Sequence, residues 1–229
     1  MTTQLQHTPP GIIKAFLEAG ATVIAPVRSD RGKASLIEEL GGTQPPALDI
    51  VTADVGTDAG ASALATHITS AHGGTVNFAV SCCGGWWQGG TLSTVSLEEY
   101  RTQQDNLSTS HFLFYKYLIN LVSDDTDSSF VFITGGAGAV CFIPQASLVT
   151  VGSACVYGIV LAAVAEQQGA AKRVVEARLT ALIRREGAVQ NDNFDGAPAT
   201  SNLVFGRHLV NLAQKGQGTV VVSDAVLAS

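Results

Sequence analysis

A doubly wound α/β fold is what this sequence predicts, and three observations carry the expectation. Short apolar runs alternate along the chain with segments whose apolar residues recur at helical spacing, the pattern of parallel strands joined by right-handed helical crossovers. Phe130-Val131-Phe132-Ile133 passes through Thr134-Gly135-Gly136-Ala137-Gly138 into a long apolar segment, Ser147 to Ala165. A strand buried on both faces, a glycine turn and a helix apolar all round belong in the middle of a parallel sheet. Finally, 229 residues, 46% of them apolar and only 14% charged, supply the core of a single domain, and no linker, repeat or low-complexity segment divides them.

Taken in order, Gly11 to Gly20 sets Ile12, Ile13, Phe16, Leu17 and Ala19 at helical spacing, with Gly20 as a C-terminal stop. Ala21 to Val27 reads as a strand followed by Arg28-Ser29-Asp30-Arg31, Ala34 to Leu40 as a helix, and Leu48 to Ala53 as a strand ending at Asp54-Val55. Ala59 to Ala71 is helical, Val76 to Val80 a strand, and Ser81 to Gly90 (SCCGGWWQGG) a glycine-rich loop. Ser96 with Glu99 three residues later has capping-box spacing and starts a helix that continues, with room for a break, to Val122. Beyond the central strand and helix, alternation at Val175, Ala177, Leu179, Ala181 and Ile183 predicts one strand over Val174 to Ile183. A polar loop over Gly187 to Thr200, a helix over Ser201 to Ala213 and a last strand over Gly218 to Val222 complete the domain.

The net charge of −6 gives no electrostatic footprint for nucleic acid or an anionic membrane. So little charge implies surface buried against another copy or a partner. Cys82, Cys83, Cys141 and Cys155 lie in apolar strings without CxxC spacing, which reads as buried reduced thiols and a cytoplasmic or other reducing compartment. Met1 to Pro10 is polar and ends in two prolines, unlike a signal peptide. The longest uncharged apolar run, Ala154 to Ala165, is about half of a bilayer span, so no membrane span is expected.

In this order and spacing the chain resembles the short-chain dehydrogenase/reductase family over nearly its whole length. GIIKAFLEAGATVIAPVRSD is similar to the family's first helix and second strand, and Asp54-Val55 to the pair that holds the adenine. Ser81-Cys82-Cys83-Gly84 stands where the family has Asn-Asn-Ala-Gly, Asn106 matches its helix asparagine, and GQGTVVVSDA its last strand. The resemblance implies a Rossmann-like domain and descent from NADP(H)-dependent oxidoreductases acting on a small carbonyl, alcohol or imine. The implied cofactor-binding residues are Arg28, Asp54, Val55 and Gly84. Those at the catalytic positions are Asn106, Thr134 and Ser153. Arg28 sits where the family reads a 2′-phosphate, favouring NADP, although a solvated arginine at a strand end reads equally well.

Three departures qualify the resemblance. Counting back from Gly20, the last glycine of the phosphate-binding turn falls on Pro9, preceded by Thr8 and His7, and proline has no N–H to offer a phosphate. Only six residues precede His7, so the first strand is expected to be truncated, with Thr3 to Gln6 as a stunted replacement. The family's serine, tyrosine and lysine fall on Gly135, Val149 and Ser153, and Tyr157 has Leu161 four residues on, so no shifted Tyr–Lys pair exists. Arg184-Arg185 replaces the Pro-Gly that follows the sixth strand, which leaves the lid over nicotinamide in doubt. NADP binding is therefore expected to be weak or absent.

Trp86 and Trp87 read as a lid over an apolar pocket or as a contact patch. His111 reads as a packing residue, and His67, His72 and His208 show no metal-ligand spacing. Cys141, Ser147, Thr150 and Ser153 line the vacated positions without an adjacent base. The 107–122 and 147–165 helices correspond to those by which the family dimerises, which suggests a homo-oligomer or a larger assembly. Three functions compete: an atypical oxidoreductase, a cofactor-independent isomerase or cyclase in the vacated pocket, and a catalytically silent interaction subunit.

Overall fold

In the computed structural model, which describes residues 8–185 and 199–227, parallel strands are flanked on both faces by helices. The helices are α1 (Thr8–Glu18), α2 (Asp30–Glu39), α3 (Asp58–Ala71), α4 (Leu97–Gln104), α5 (Ser110–Leu118), α6 (Ser147–Glu166), α7 (Asn202–Lys215) and α8 (Asp224–Leu227). The strands are β1 (Val23–Val27), β2 (Leu48–Thr52), β3 (Phe78–Ser81), β4 (Ser129–Gly135), β5 (Arg173–Leu179), β6 (Leu182–Arg184), β7 (Ala199–Ser201) and β8 (Gly218–Val222). Among the described residues the order β3-β4-β5-β8 forms one parallel sheet, β1 pairs with β2, and β6 pairs with β7.

Capping chemistry sets most helix starts. The Ser29, Thr57, Ser96 and Ser201 hydroxyls each accept from the backbone N–H three residues on, opening α2, α3, α4 and α7. α2 therefore begins at Asp30, ahead of the expected Ala34. α1 begins at Thr8 because prolines are tolerated in a first turn. It ends as expected: Gly20 adopts φ +84, with Ala21 N–H bonded to the Phe16 carbonyl.

The single strand expected over Val174 to Ile183 is two. Thr180 N–H turns to the Val222 carbonyl, and the chain leaves β5 for the short β6–β7 pair. Alternation continues through this bend, so periodicity does not mark it. The expected stunted strand over Thr3 to Gln6, and most of the Gly187–Thr200 loop, lie outside the described residues.

β4 is buried on both faces. Phe130 and Phe132 pack with α3, α5 and α6, whereas Val131 and Ile133 pack with α1 and α7. Ile13 and Leu36 cover β1 and β2 on the α1 side. Among the described strands β1 is bonded only to β2, through Val23, Ala25 and Val27. Pro26 alternates to the other side, where its missing N–H leaves no ladder donor unsatisfied.

α1 and α7 meet backbone to backbone. A Cβ on Gly206 would overlap the Gly11 carbonyl, and one on Gly11 would overlap the Asn202 carbonyl. By length and composition α6 could cross a bilayer, unlike the shorter run noted above, but one face of it packs on β4 and β5.

Gly206→Ala should destabilise the protein by about 1–3 kcal/mol, because two backbones must part. Gly158→Ala, on α6 with nothing within 4 Å of its would-be Cβ, should stabilise it by up to about 1 kcal/mol through helix propensity. Urea denaturation of both variants checks the opposite signs.

Candidate functional site

Ligands of open parallel sheets bind beyond the strand C-termini. Here that edge is formed by the segments following β1, β2, β3 and β4. A π-turn, Asp105–Thr109, joins α4 to α5 and is the break allowed for in that helix. It throws Leu107 between Gly84 and Gly152. Cβ atoms at those glycines would lie 2.7 and 2.5 Å from the Leu107 side chain. Gly84 also adopts φ +92, so its bare backbone is required twice over.

At one end of the edge, Arg28 Nε lies 3.4 Å from Asp54 Oδ1, and both side chains remain substantially exposed. Asp54 Oδ1 also accepts from Gly56 N–H at 3.0 Å, while Val55 packs inward on the core. The four residues expected at a cofactor thus fall into a paired Arg28–Asp54, a half-buried Val55 and the Gly84 turn. A groove lined by Pro10, Gly11, Lys14, Glu38 and Arg185, among others, opens beside the start of α1.

At the other end, α6 turns Val149 and Ser153 inward, to 6% and 9% exposure. Tyr157, one turn on, donates to the Gly135 carbonyl at 2.6 Å, and its ring leaves no room for a side chain at Gly138. Its pKa is raised, first by burial, so the phenol stays protonated at neutral pH. Arg178 stacks on the ring at 3.8 Å and forks onto Glu176, Nε to Oε1 at 2.9 Å and Nη2 to Oε2 at 3.0 Å.

Glu176, 2% exposed, also accepts from Thr134 at 2.6 Å and Thr219 at 2.7 Å. Burial alone would raise its pKa, but the bonds from Arg178, Thr134 and Thr219 together hold it below the ordinary value. The Thr134 hydroxyl, expected at a catalytic position, is engaged in this network. Glu176 itself escapes an apolar reading of β5, because it lies on the face opposite Val175 and Ala177.

Asn106 is half-buried in the π-turn, and its carbonyl accepts from Ser110. The loop after β3 is tied down. Gly89 and Gly90 N–H groups bond the Gln145 carbonyl, Ser147 donates to the Gly90 carbonyl, and Trp87 Nε1 donates to Glu99 at 2.9 Å. His111 is buried with Nδ1 2.6 Å from Ser81 Oγ, and burial pushes its pKa down to about 4, leaving a neutral packing ring.

Two expectations are corrected. Cys141 and Cys155 are exposed, one in a loop and the other on the outer face of α6, although Cys82 and Cys83 are partly buried and all four are free. His67 and His72, though unremarkable in spacing, converge on Asp49, while His208 lies apart on α7.

Residues 10–178 match the family model described as enoyl-(acyl carrier protein) reductase, which covers most of the chain. The chain belongs to the short-chain dehydrogenase/reductase family. Solved structures agree on the fold. A short-chain dehydrogenase/reductase from Serratia marcescens superposes with TM-score 0.80 at 12% identity, over 96% of this chain and 94% of that one. ElxO with NADP bound gives 0.81 at 13% identity, over 100% and 97% of the two chains. A dehydrogenase/reductase from Sinorhizobium meliloti gives 0.81 at 12% identity, over 99% and 93%. No curated protein matches the sequence.

Glu176→Gln should cost about 3–5 kcal/mol at neutral pH, because it strands the Arg178 charge. A carboxylate with a depressed folded-state pKa contributes its full stability above the unfolded value. That contribution is lost as pH falls from the ordinary 4.5 through the folded value. The wild type should therefore lose stability below that point more steeply than the variant, as read by denaturation across the acid range.

Proposed function

We propose that this chain is a divergent, NADP(H)-binding member of its oxidoreductase family that does not reduce carbonyls by the tyrosine–lysine route. The observation that carries the reading is the contrast between the two ends of the strand-end edge. The Arg28–Asp54 end, an exposed guanidinium beside a carboxylate at the tips of β1 and β2, supports a reading in which Arg28 meets a 2′-phosphate and Asp54 the adenosine. These residues fit the adenosine half of NADP. ElxO, whose printed title names bound NADP, shares this fold, which supports the cofactor class.

The other end does not fit. At the family's tyrosine and lysine positions stand Val149 and Ser153, both buried; Val149 has no proton to give, and Ser153 has no positive charge with which to lower a phenol's pKa. The nearby phenol of Tyr157 is committed to Gly135. Any turnover is therefore confined to a small substrate that is already activated, an iminium ion that becomes a neutral amine on accepting hydride, rather than a neutral ketone or imine that needs a proton from the protein.

A second reading, that of a catalytically silent interaction subunit, is favoured by the apolar faces of α5 and α6. Leu161 is 72% exposed and Phe112 49%, with Val164, Ala162 and Cys155 also at the surface. Pairing of two copies through these helices would cover that face, and the two readings are compatible in a nucleotide-binding subunit of a homo-oligomer.

Fluorescence titration, read by energy transfer from Trp86 and Trp87, tests the proposal. NADPH should bind saturably, and Arg28→Ala should weaken NADPH by about tenfold or more while leaving NADH little changed, as expected for loss of a charge-assisted contact. Absence of binding by either nucleotide at millimolar concentration would retire the cofactor reading and leave the interaction subunit.

A further inference from the structure

We propose that Asp49, His67 and His72 form a binding site for a divalent transition-metal ion of the zinc class, at the end of the sheet away from the Arg28–Asp54 pair. The placement follows from the fold. Along β2, Leu48 and Ile50 are buried under α2, so period-two alternation turns Asp49 to the α3 side. His67 lies in the last turn and a half of α3 and His72 is its C-cap, which brings both rings over the start of β2. Asp54 lies five residues beyond Asp49 along an extended strand, roughly 16 Å away, so the cluster is separate from the nucleotide edge.

Both imidazoles direct Nε2 at the same carboxylate oxygen. His67 Nε2 lies 2.7 Å and His72 Nε2 2.8 Å from Asp49 Oδ2, and the three ligand atoms fall within 4.8 Å of one another. The rings are tilted 56° with centroids 5.5 Å apart, converging at their Nε2 edges rather than stacking. Two nitrogens and one carboxylate oxygen are the donor set that zinc and its neighbours take, at roughly 2.0–2.2 Å from the metal. Ligand atoms around a tetrahedral ion of that size stand about 3.3 Å apart, so the three side chains need shift only slightly to admit one.

The side chains are one-quarter to one-third exposed, which leaves an entry path and at least one coordination position for water or a ligand atom from outside. The two rings hold the Asp49 pKa below its ordinary value, so the carboxylate is ionised and ready to coordinate at neutral pH. A bound ion would staple the end of α3 to β2, and ligand binding to the folded state alone raises stability.

The test is calorimetric titration of Zn2+ into the full-length, chelator-treated protein, with melting temperature and imidazole nitrogen NMR followed in parallel. One equivalent should bind saturably, raise the melting temperature and shift the Nε2 resonances of His67 and His72 but of no other histidine. Asp49→Asn and His72→Gln should each weaken that equivalent by at least about tenfold, the effect expected when a ligand itself is lost. The NMR arm uses the unaltered chain, so it decides the question even if a variant fails to fold. No saturable uptake would overturn the proposal. So would uptake that leaves both Nε2 resonances unmoved, because the metal would then sit on the exposed thiols and the cluster would be a hydrogen-bonded pair of histidines on a carboxylate.

Discussion

A buried carboxylate organises the closed end of this molecule. Glu176 joins three strands, through Thr134 on β4, Arg178 on β5 and Thr219 on β8. Arg178 carries the same charge balance outward to the face of Tyr157, which bonds the end of β4 on the other side. An ion pair this deep is kept in place by its satisfied hydrogen bonds rather than by net Coulombic gain, since removing Arg178 would leave the buried Glu176 charge unmatched. The consequence is positional. Tyr157 is thereby fixed to Gly135, one turn beyond the inward-facing Val149 and Ser153 of α6.

The opposite end answers to different forces. Arg28 and Asp54 are held at the tips of β1 and β2, with much of each side chain in water, where their pairing is weak. Between the two ends, Leu107 wedged against Gly84 and Gly152 ties the π-turn to both the β3 loop and α6. A π-turn in mid-helix marks a functional position in many proteins. Here it also does packing work, placing the Asn106 backbone beside the glycine loop.

Much of the fold was legible because burial on two faces and on one face leaves different periodicities. The all-apolar Phe130–Ile133 run is the central β4, and the Gly11–Gly20 pattern is α1 with its left-handed stop. The bend after Leu179 was not legible, because Ala181 and Ile183 keep the alternation while the hydrogen bonds change partners. At the candidate site, sequence alone did not reveal which partners the side chains take, such as the pairing of Asp54 with Arg28. Glu176 was hidden among the alternating apolar residues of β5, and the bond that ties up the Thr134 hydroxyl was not legible because its partner lies 42 residues on. The histidine cluster was hidden for the same reason, its carboxylate preceding the two rings by 18 and 23 residues. Exposure of Cys155 follows from which side of an almost wholly apolar helix faces the sheet, and such a helix has no polar stripe to announce it.

The central claim is that the adenosine end of the nucleotide site persists while the acid–base end is packed shut. Saturation-transfer NMR on NADPH bound to the wild-type protein tests it directly, because each half of the nucleotide reports its own contact. The account predicts strong transfer to the adenine and phosphorylated-ribose protons and little to the nicotinamide ring. Equal or stronger transfer to the nicotinamide protons would contradict it and would mean that the crevice beside α6 is open.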